Sequence, residues 1–365
     1  MPCVLRPLCS SSPTVTTVVL RDFRSDDYLC LHGNPAIEAS IARLLNEWEA
    51  AGTQARVASS GSLEAVLRRT SADFLGVENS MFFPPTLLTG GGLFGTLVDE
   101  RDVIVVDDLV HGPVLEGVAR SPAFRRPYRH RSMADLSSAL DSSMNARRRL
   151  IVTEGVFGVD GSVAPLPEIV VLAEQFDALL MVDDTHGLGV HGPSGAGTVE
   201  LFDVVDKVDV LVGTYNAEIG GGYASGKMEI VEALQRAARE AVKNPQTMAP
   251  TLIAATLAGL EYVALGTEVR KLLRSRAQQL RQALTEVGFP VSSGDHPIVA
   301  VTIGDAQLAQ QVVESMFDDG ILVTAFAAPV VPIDQAIIRL QVSVNHTDAD
   351  ITACVDGLHS AVAAL

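Results

Sequence analysis

The run Met181-Val182-Asp183-Asp184-Thr185-His186-Gly187-Leu188-Gly189-Val190 decides how this chain is read. Residues 178–182 have the composition of a buried strand, and the strand breaks at once into two acids, a hydroxyl and a histidine. In open α/β sheets ligands bind outside the carboxyl ends of the strands, so polar groups at such an end are candidate site residues. Taken alone, an aspartate there is also a common helix N-cap.

Outward from that run the pattern alternates. Apolar residues recur at helical spacing over 37–50 and 63–74, the second stretch closing at Leu75-Gly76, where glycine can end a helix. Residues 102–106 and 150–153 read as buried strands, 169–176 as a helix and 208–214 as another strand. Such alternation predicts a mostly parallel sheet with helices on both faces. A long helical stretch from 248 to 281 follows, and the pattern then changes to strand (298–303), helix (306–317) and strands (321–324, 338–344). The change marks a smaller C-terminal α+β domain. The expected organisation is an N-terminal segment, 1–45, packing with the small domain, a large domain, 46–266, and the small domain proper, 267–365.

Forty-four acidic against 27 basic residues leave a net charge of -17, which repels nucleic acid and anionic membrane surfaces. Neither is expected as a partner. The four cysteines, Cys3, Cys9, Cys30 and Cys354, form no C-x-x-C pair, so neither a zinc site nor a disulfide framework is indicated. No apolar run approaches the ~20 residues that span a bilayer, and 15–20 is too short for a signal peptide. The chain reads as a soluble, cytoplasmic protein without a metal site.

Two further blocks flank the opening run: Thr153-Glu154-Gly155-Val156-Phe157-Gly158-Val159-Asp160-Gly161 upstream and Gly213-Thr214-Tyr215-Asn216-Ala217-Glu218-Ile219-Gly220-Gly221-Gly222 downstream. In this order the three blocks resemble the α-oxoamine synthases, pyridoxal-phosphate (PLP) enzymes that include 8-amino-7-oxononanoate synthase, 2-amino-3-ketobutyrate CoA ligase and serine palmitoyltransferase. The resemblance runs from about Tyr28 to the C-terminus. It implies an aspartate-aminotransferase-like fold of type I, with a mostly parallel seven-stranded sheet in the large domain, and a dimer with PLP sites at its interface. It also implies a C-acyltransferase that condenses an amino acid with an acyl thioester carried by CoA or a carrier protein.

The resemblance assigns roles. Asp183 pairs with the pyridinium nitrogen and keeps the ring an electron sink. His186 lies beside the PLP 3-oxygen, His111 stacks on the ring, Thr214 bonds the phosphate, and Arg339 grips the amino-acid carboxylate bidentately. The basic stretch Arg125, Arg126, Arg129, His130 and Arg131 reads as a solvated charged face, with phosphate or CoA binding as the other reading.

The departure that matters is Ala217. There the family has the lysine that carries PLP as a Schiff base and moves the α-proton, and a methyl group does neither. Lys227 and Lys243 are poor substitutes by position. Pro85, Gly158 and Asp27 also replace residues common in the family, and an aspartate at 27 would repel a substrate carboxylate. Three readings stay open: an acyltransferase-type site holding PLP non-covalently, a non-catalytic subunit that pairs with a lysine-bearing paralogue, and a scaffold that binds no PLP.

Overall fold

The computed structural model describes residues 20–50, 52–83, 92–110, 112–215, 222–241 and 248–364. A short strand β1 (Arg21–Asp22) leads into helices α1 (Pro35–Ala50) and α2 (Gly52–Leu75). Gly76, at φ +70°, closes α2 in the left-handed conformation that glycine adopts without penalty, and Val77 N–H donates to the carbonyl of Ala72 at 3.0 Å. Seven strands follow: β2 (Asn79–Phe83), β3 (Val103–Asp107), β4 (Phe124–Tyr128), β5 (Arg149–Glu154), β6 (Leu179–Asp183), β7 (Val210–Thr214) and β8 (Gly222–Gly226).

These seven make one sheet in the order β2-β8-β7-β6-β5-β3-β4. From β7 to β4 every neighbour is parallel, while β8 runs antiparallel to both β7 and β2. Every residue of β3 and β5 is buried, which explains their unbroken apolar runs: a strand covered on both faces has no solvent side to mark by alternation. The chain goes outward from β3 to β4, returns to β5, and then proceeds through β6 to β7 on the other side of β3. This reversal between β3 and β5 is where open α/β sheets place their ligands.

By its internal contacts the chain divides into two units, at 28/29 and 271/272 rather than at 45/46 and 266/267. The large unit takes residues 29–158 and 162–271, so α1 belongs to it: Ile37 is buried and α1 lies along the helix Pro250–Leu265. The small unit contains 20–28, Val159–Gly161 and 272–364. In it β9 (Ile298–Gly304), β11 (Thr324–Phe326) and β12 (Ala336–Gln341) form an antiparallel sheet, and β10 (Ile321–Leu322) pairs with β1. Helices Ala306–Asp318 and Asp348–Ala364 contribute Val312, Met316, Cys354 and Leu358 to its core, alongside Phe23, Val299 and Ile338. Among the described residues no single helix is long and apolar enough to cross a membrane.

Candidate active site

The carboxyl ends of β3, β5, β6 and β7 bring Asp107, Glu154, Asp183 and Thr214 to one edge of the large sheet. Glu154 stands opposite Asp183 in the β5–β6 register, and Asp183 opposite Val212 of β7. Asp183 is half-buried. Its Oδ1 accepts hydrogen bonds from the N–H of Thr185 at 2.9 Å and from the Thr185 hydroxyl at 2.6 Å. This Asx-type turn fixes the carboxylate where the strand ends.

The next residue, Asp184, turns inward and is fully buried. It accepts the N–H of Thr198 at 2.6 Å and the Thr198 hydroxyl at 2.8 Å. Burial pushes its carboxyl up to about 7, partly opposed by the bonds from Thr198 and reinforced by Asp183. His186 is half-buried on the turn that leaves β6, where Gly187 and Leu188 both donate their N–H to the carbonyl of Asp184.

Thr214, half-buried, ends β7. Beneath it Tyr223 of β8 is fully buried, with its hydroxyl under the backbone of Gly213: a Cβ at Gly213 would lie 2.7 Å from that oxygen. Glycine is therefore required one residue before Thr214. Burial, followed by the proximity of Tyr215, Asp184 and Asp183, holds the Tyr223 hydroxyl well above the usual phenol range, so it stays protonated.

The loop after β5 is held by its own backbone and by a histidine. Phe157 N–H donates to Ser162 O at 2.8 Å, and Gly158 N–H to Glu154 Oε2 at 2.8 Å. His130, just past β4, spans 2.9 Å from Nδ1 to Asp107 Oδ1 and 3.0 Å from Nε2 to Ser162 Oγ, with its ring edge-on to Phe157 at 4.3 Å. A carboxylate only accepts, so Nδ1 carries the proton toward Asp107. Asp107 also accepts the N–H groups of Leu109 and Arg131, both at 2.9 Å. The basic stretch thus splits. Arg125, Arg129 and Arg131 are exposed and Arg129 pairs with Asp135, whereas His130 ties β3 to the β5 loop.

The structure brings Asp183, His186 and Thr214 to the ends of adjacent strands. Arg339 belongs to the small unit, on β12, with its guanidinium over the Phe326 ring at 4.8 Å. Burial lowers its pKa, against the opposing pull of Asp26 and Tyr28. Nearby, Gln341 bonds Asp26 and also the Tyr28 hydroxyl at 3.2 Å. Asp27 is buried and donates its N–H to Ser25 Oγ at 3.1 Å. Ala217, His111, Pro85 and Lys243 lie outside the described residues.

Sequence reasoning missed Asp184, Asp107 and His130 as site-forming groups. The doubled acid at 183–184 was a signal for the first. Nothing in a run of arginines distinguishes His130.

The family model for aminotransferase class I and II matches residues 21–358. A 2-amino-3-ketobutyrate coenzyme A ligase of Salmonella typhimurium is 36% identical over 341 residues, covering 92% of this chain and 85% of that protein. An 8-amino-7-oxononanoate synthase of Thermosipho melanesiensis is 33% identical over 330 residues, 90% of this chain and 84% of its own length. Among solved structures, a lysine-to-alanine variant of serine palmitoyltransferase from S. paucimobilis, with a bound PLP–myriocin aldimine, superposes with a TM-score of 0.83. It shares 24% identity and covers 94% of this chain and 88% of that one, a likeness of fold.

Proposed function

We propose, for a chain that belongs to the aminotransferase class I and II family, an α-oxoamine synthase-type site that takes PLP without a covalent link and serves the joining of an amino acid to an acyl thioester. The observation that carries this reading is Asp183: a half-buried carboxylate, fixed by Thr185, at the carboxyl end of a central parallel strand. The relatives' names support the substrate class, a coenzyme A ligase and an oxononanoate synthase.

The donor set suits the cofactor. Asp183 offers a negative charge to a protonated ring nitrogen, and Thr214 offers a hydroxyl to a phosphate one strand away. Bound PLP supplies a cationic ring that accepts the electrons released at the amino-acid α-carbon. Asp183 keeps the proton on the ring nitrogen, since losing it would bring a carboxylate up against a neutral ring. By the resemblance, His186 would serve the ring oxygen, His111 would cover a ring face and Arg339 would take the substrate carboxylate as a two-pronged donor.

Ala217 supplies neither an amine nor a base. The missing proton-transfer group alone costs roughly 10²–10⁴-fold in rate, so turnover by this chain alone is slow. The scattered departures at Pro85, Gly158 and Asp27, beside Ala217, favour a second reading: a subunit whose lysine-bearing paralogue completes the pair. A homodimer or that heterodimer is the expected assembly.

Titration of PLP into the protein, followed by calorimetry and by the cofactor's absorbance, tests the reading. Saturable binding that Asp183→Asn weakens at least about tenfold, the worth of one lost charge-assisted bond, supports it. Absence of binding leaves the scaffold reading in its place, and binding indifferent to Asp183 removes Asp183 from the cofactor site.

A further inference from the structure

Asp184 is a buried acid that the proposed chemistry does not use. A buried carboxylate is a poor way to stabilise a fold, because desolvation offsets what its bonds return and an apolar side chain of similar size commonly does as well or better. Its surroundings show what it does instead. The carbonyl of Asp183 accepts Gly155 N–H at 2.7 Å, and Asp184 N–H donates to Val212 O at 2.9 Å, so the 183–184 peptide is tied to the β5 loop on one side and to β7 on the other. The Asp184 carbonyl takes Gly187 N–H at 3.1 Å and Leu188 N–H at 2.9 Å, closing the turn that carries Thr185 and His186.

The carboxylate gathers the rest. Thr198 donates to both of its oxygens, and three glycines from three segments crowd it. A Cβ would come within 2.3 Å of Oδ1 at Gly155, within 1.9 Å of Oδ1 at Gly187 and within 2.0 Å of Oδ2 at Gly197. Real Cβ atoms do not approach so closely: at Gly187 and Gly197 the nearest obstacle is this short, fixed side chain, and at Gly155 it shares the space with the Thr198 hydroxyl that it holds, 2.2 Å from such a Cβ. Gly197, at φ +102°, also needs glycine for its backbone conformation. The β5 loop, the β6 turn and the segment before the helix Thr198–Leu201 therefore all close upon Asp184.

We propose that Asp184 is the positioning residue of this edge: by holding Thr198 and the three glycine-bearing segments, it fixes where Asp183 and His186 stand. The inference rests on the reading of Asp183 and His186 as cofactor-facing groups. Successive side chains along a strand point to opposite sides, so anchoring Asp184 inside leaves Asp183 facing the site.

The test uses Asp184→Asn and Asp184→Ala in the full chain, with two readouts. Asparagine can accept the Thr198 N–H and donate to the Thr198 hydroxyl, which keeps the shape and removes the charge. Alanine removes both bonds. In the protein without ligand, amide hydrogen exchange at 155–158 and 185–189 should rise at least about tenfold in Asp184→Ala, the worth of even one of the two bonds lost, and stay near the parent rate in Asp184→Asn. Amides inside β5 and β6 should be unchanged in both. With PLP as the probe, Asp184→Ala should bind about tenfold more weakly and Asp184→Asn like the parent.

Unchanged exchange at both turns in a folded Asp184→Ala protein overturns the proposal, as does exchange that rises uniformly across the sheet. Should Asp184→Ala not fold, Thr198→Val removes one of the two bonds and is judged by the same exchange pattern. If the parent binds no PLP, the functional reading fails by itself and the exchange pattern still decides the role of Asp184.

Discussion

Lys227 ends on the carboxylate of Asp209, and the pair sits at the opposite edge of the sheet from Asp183. Asp209 Oδ2 accepts Leu180 N–H at 2.7 Å, at the start of β6, and β8 runs antiparallel to β7, so the residue after β8 emerges where β7 begins. The bond to Asp209 raises the lysine's pKa further. A lysine so placed lies away from Asp183, and on the proposed reading it does not replace a Schiff-base lysine. Lys227→Met should leave PLP affinity unchanged and lower stability by about 1 kcal/mol or less, since the ammonium is largely solvated. Calorimetric titration and a urea melt check both halves.

Restoring the amine is the converse experiment. Ala217→Lys should yield a protein in which borohydride traps PLP covalently at position 217, identified by peptide mass, while the parent shows no such adduct. Binding by the parent without trapping, and trapping in Ala217→Lys, would establish that the site lacks only its lysine. A PLP site that Ala217→Lys cannot load covalently would favour the paralogue-dependent subunit.

The loop after β5 offers a prediction about stability. Ser162→Ala removes one hydrogen bond to His130 and should cost about 1 kcal/mol; His130→Ala removes two, together with the contact on Phe157, and should cost about 2 kcal/mol or more. Because Asp107 keeps the N–H groups of Leu109 and Arg131, β3 should remain intact. Urea melts, with hydrogen exchange confined to 155–164, measure this.

Much of the architecture was legible because buried parallel strands advertise themselves as apolar runs; β3, β5, β6 and β7 all did. The strands that escaped were those whose neighbours supply what their own sequence lacks. Phe124-Arg125-Arg126-Pro127-Tyr128 reads as a basic run, yet forms β4, an edge strand with a solvated face, where a proline costs no ladder bond on the open side. Gly222-Tyr223-Ala224-Ser225-Gly226 carries little strand propensity and is held between β7 and β2, where the Phe83 ring occupies the space a Cβ on Gly222 would need. In the candidate site, the place of Asp183 at a strand end was legible. Asp184 and His130 were not, since what marks them is the convergence of distant glycines and of β3 with the β5 loop.

Arg339 tests substrate class. With PLP loaded, an amino-acid ligand such as glycine should bind about tenfold more weakly to Arg339→Lys than to the parent, because lysine cannot reproduce the two parallel bonds of a guanidinium to a carboxylate. Equal affinity in the two proteins, read from the cofactor's absorbance, would remove Arg339 from substrate binding.

The last prediction concerns pH. Burial pushes the Asp184 carboxyl up to about 7, whereas an aspartate in the unfolded chain titrates near ~4. Between these values the folded protein holds a proton that the unfolded chain has released, so stability falls as pH rises through the window, by at most ~1.4 kcal/mol per unit. Carboxylates held low have the opposite sign and a different window: Asp135, kept low by its bond from Arg129, loses its contribution only as pH drops through its depressed value. Asp184→Asn keeps the bonds to Thr198 without titrating, so the difference between parent and variant isolates this one group. Urea midpoints at pH 5 and pH 8 should show the parent losing stability relative to Asp184→Asn at the higher pH. Parallel behaviour of the two proteins across that range would mean that Asp184 does not change its protonation there.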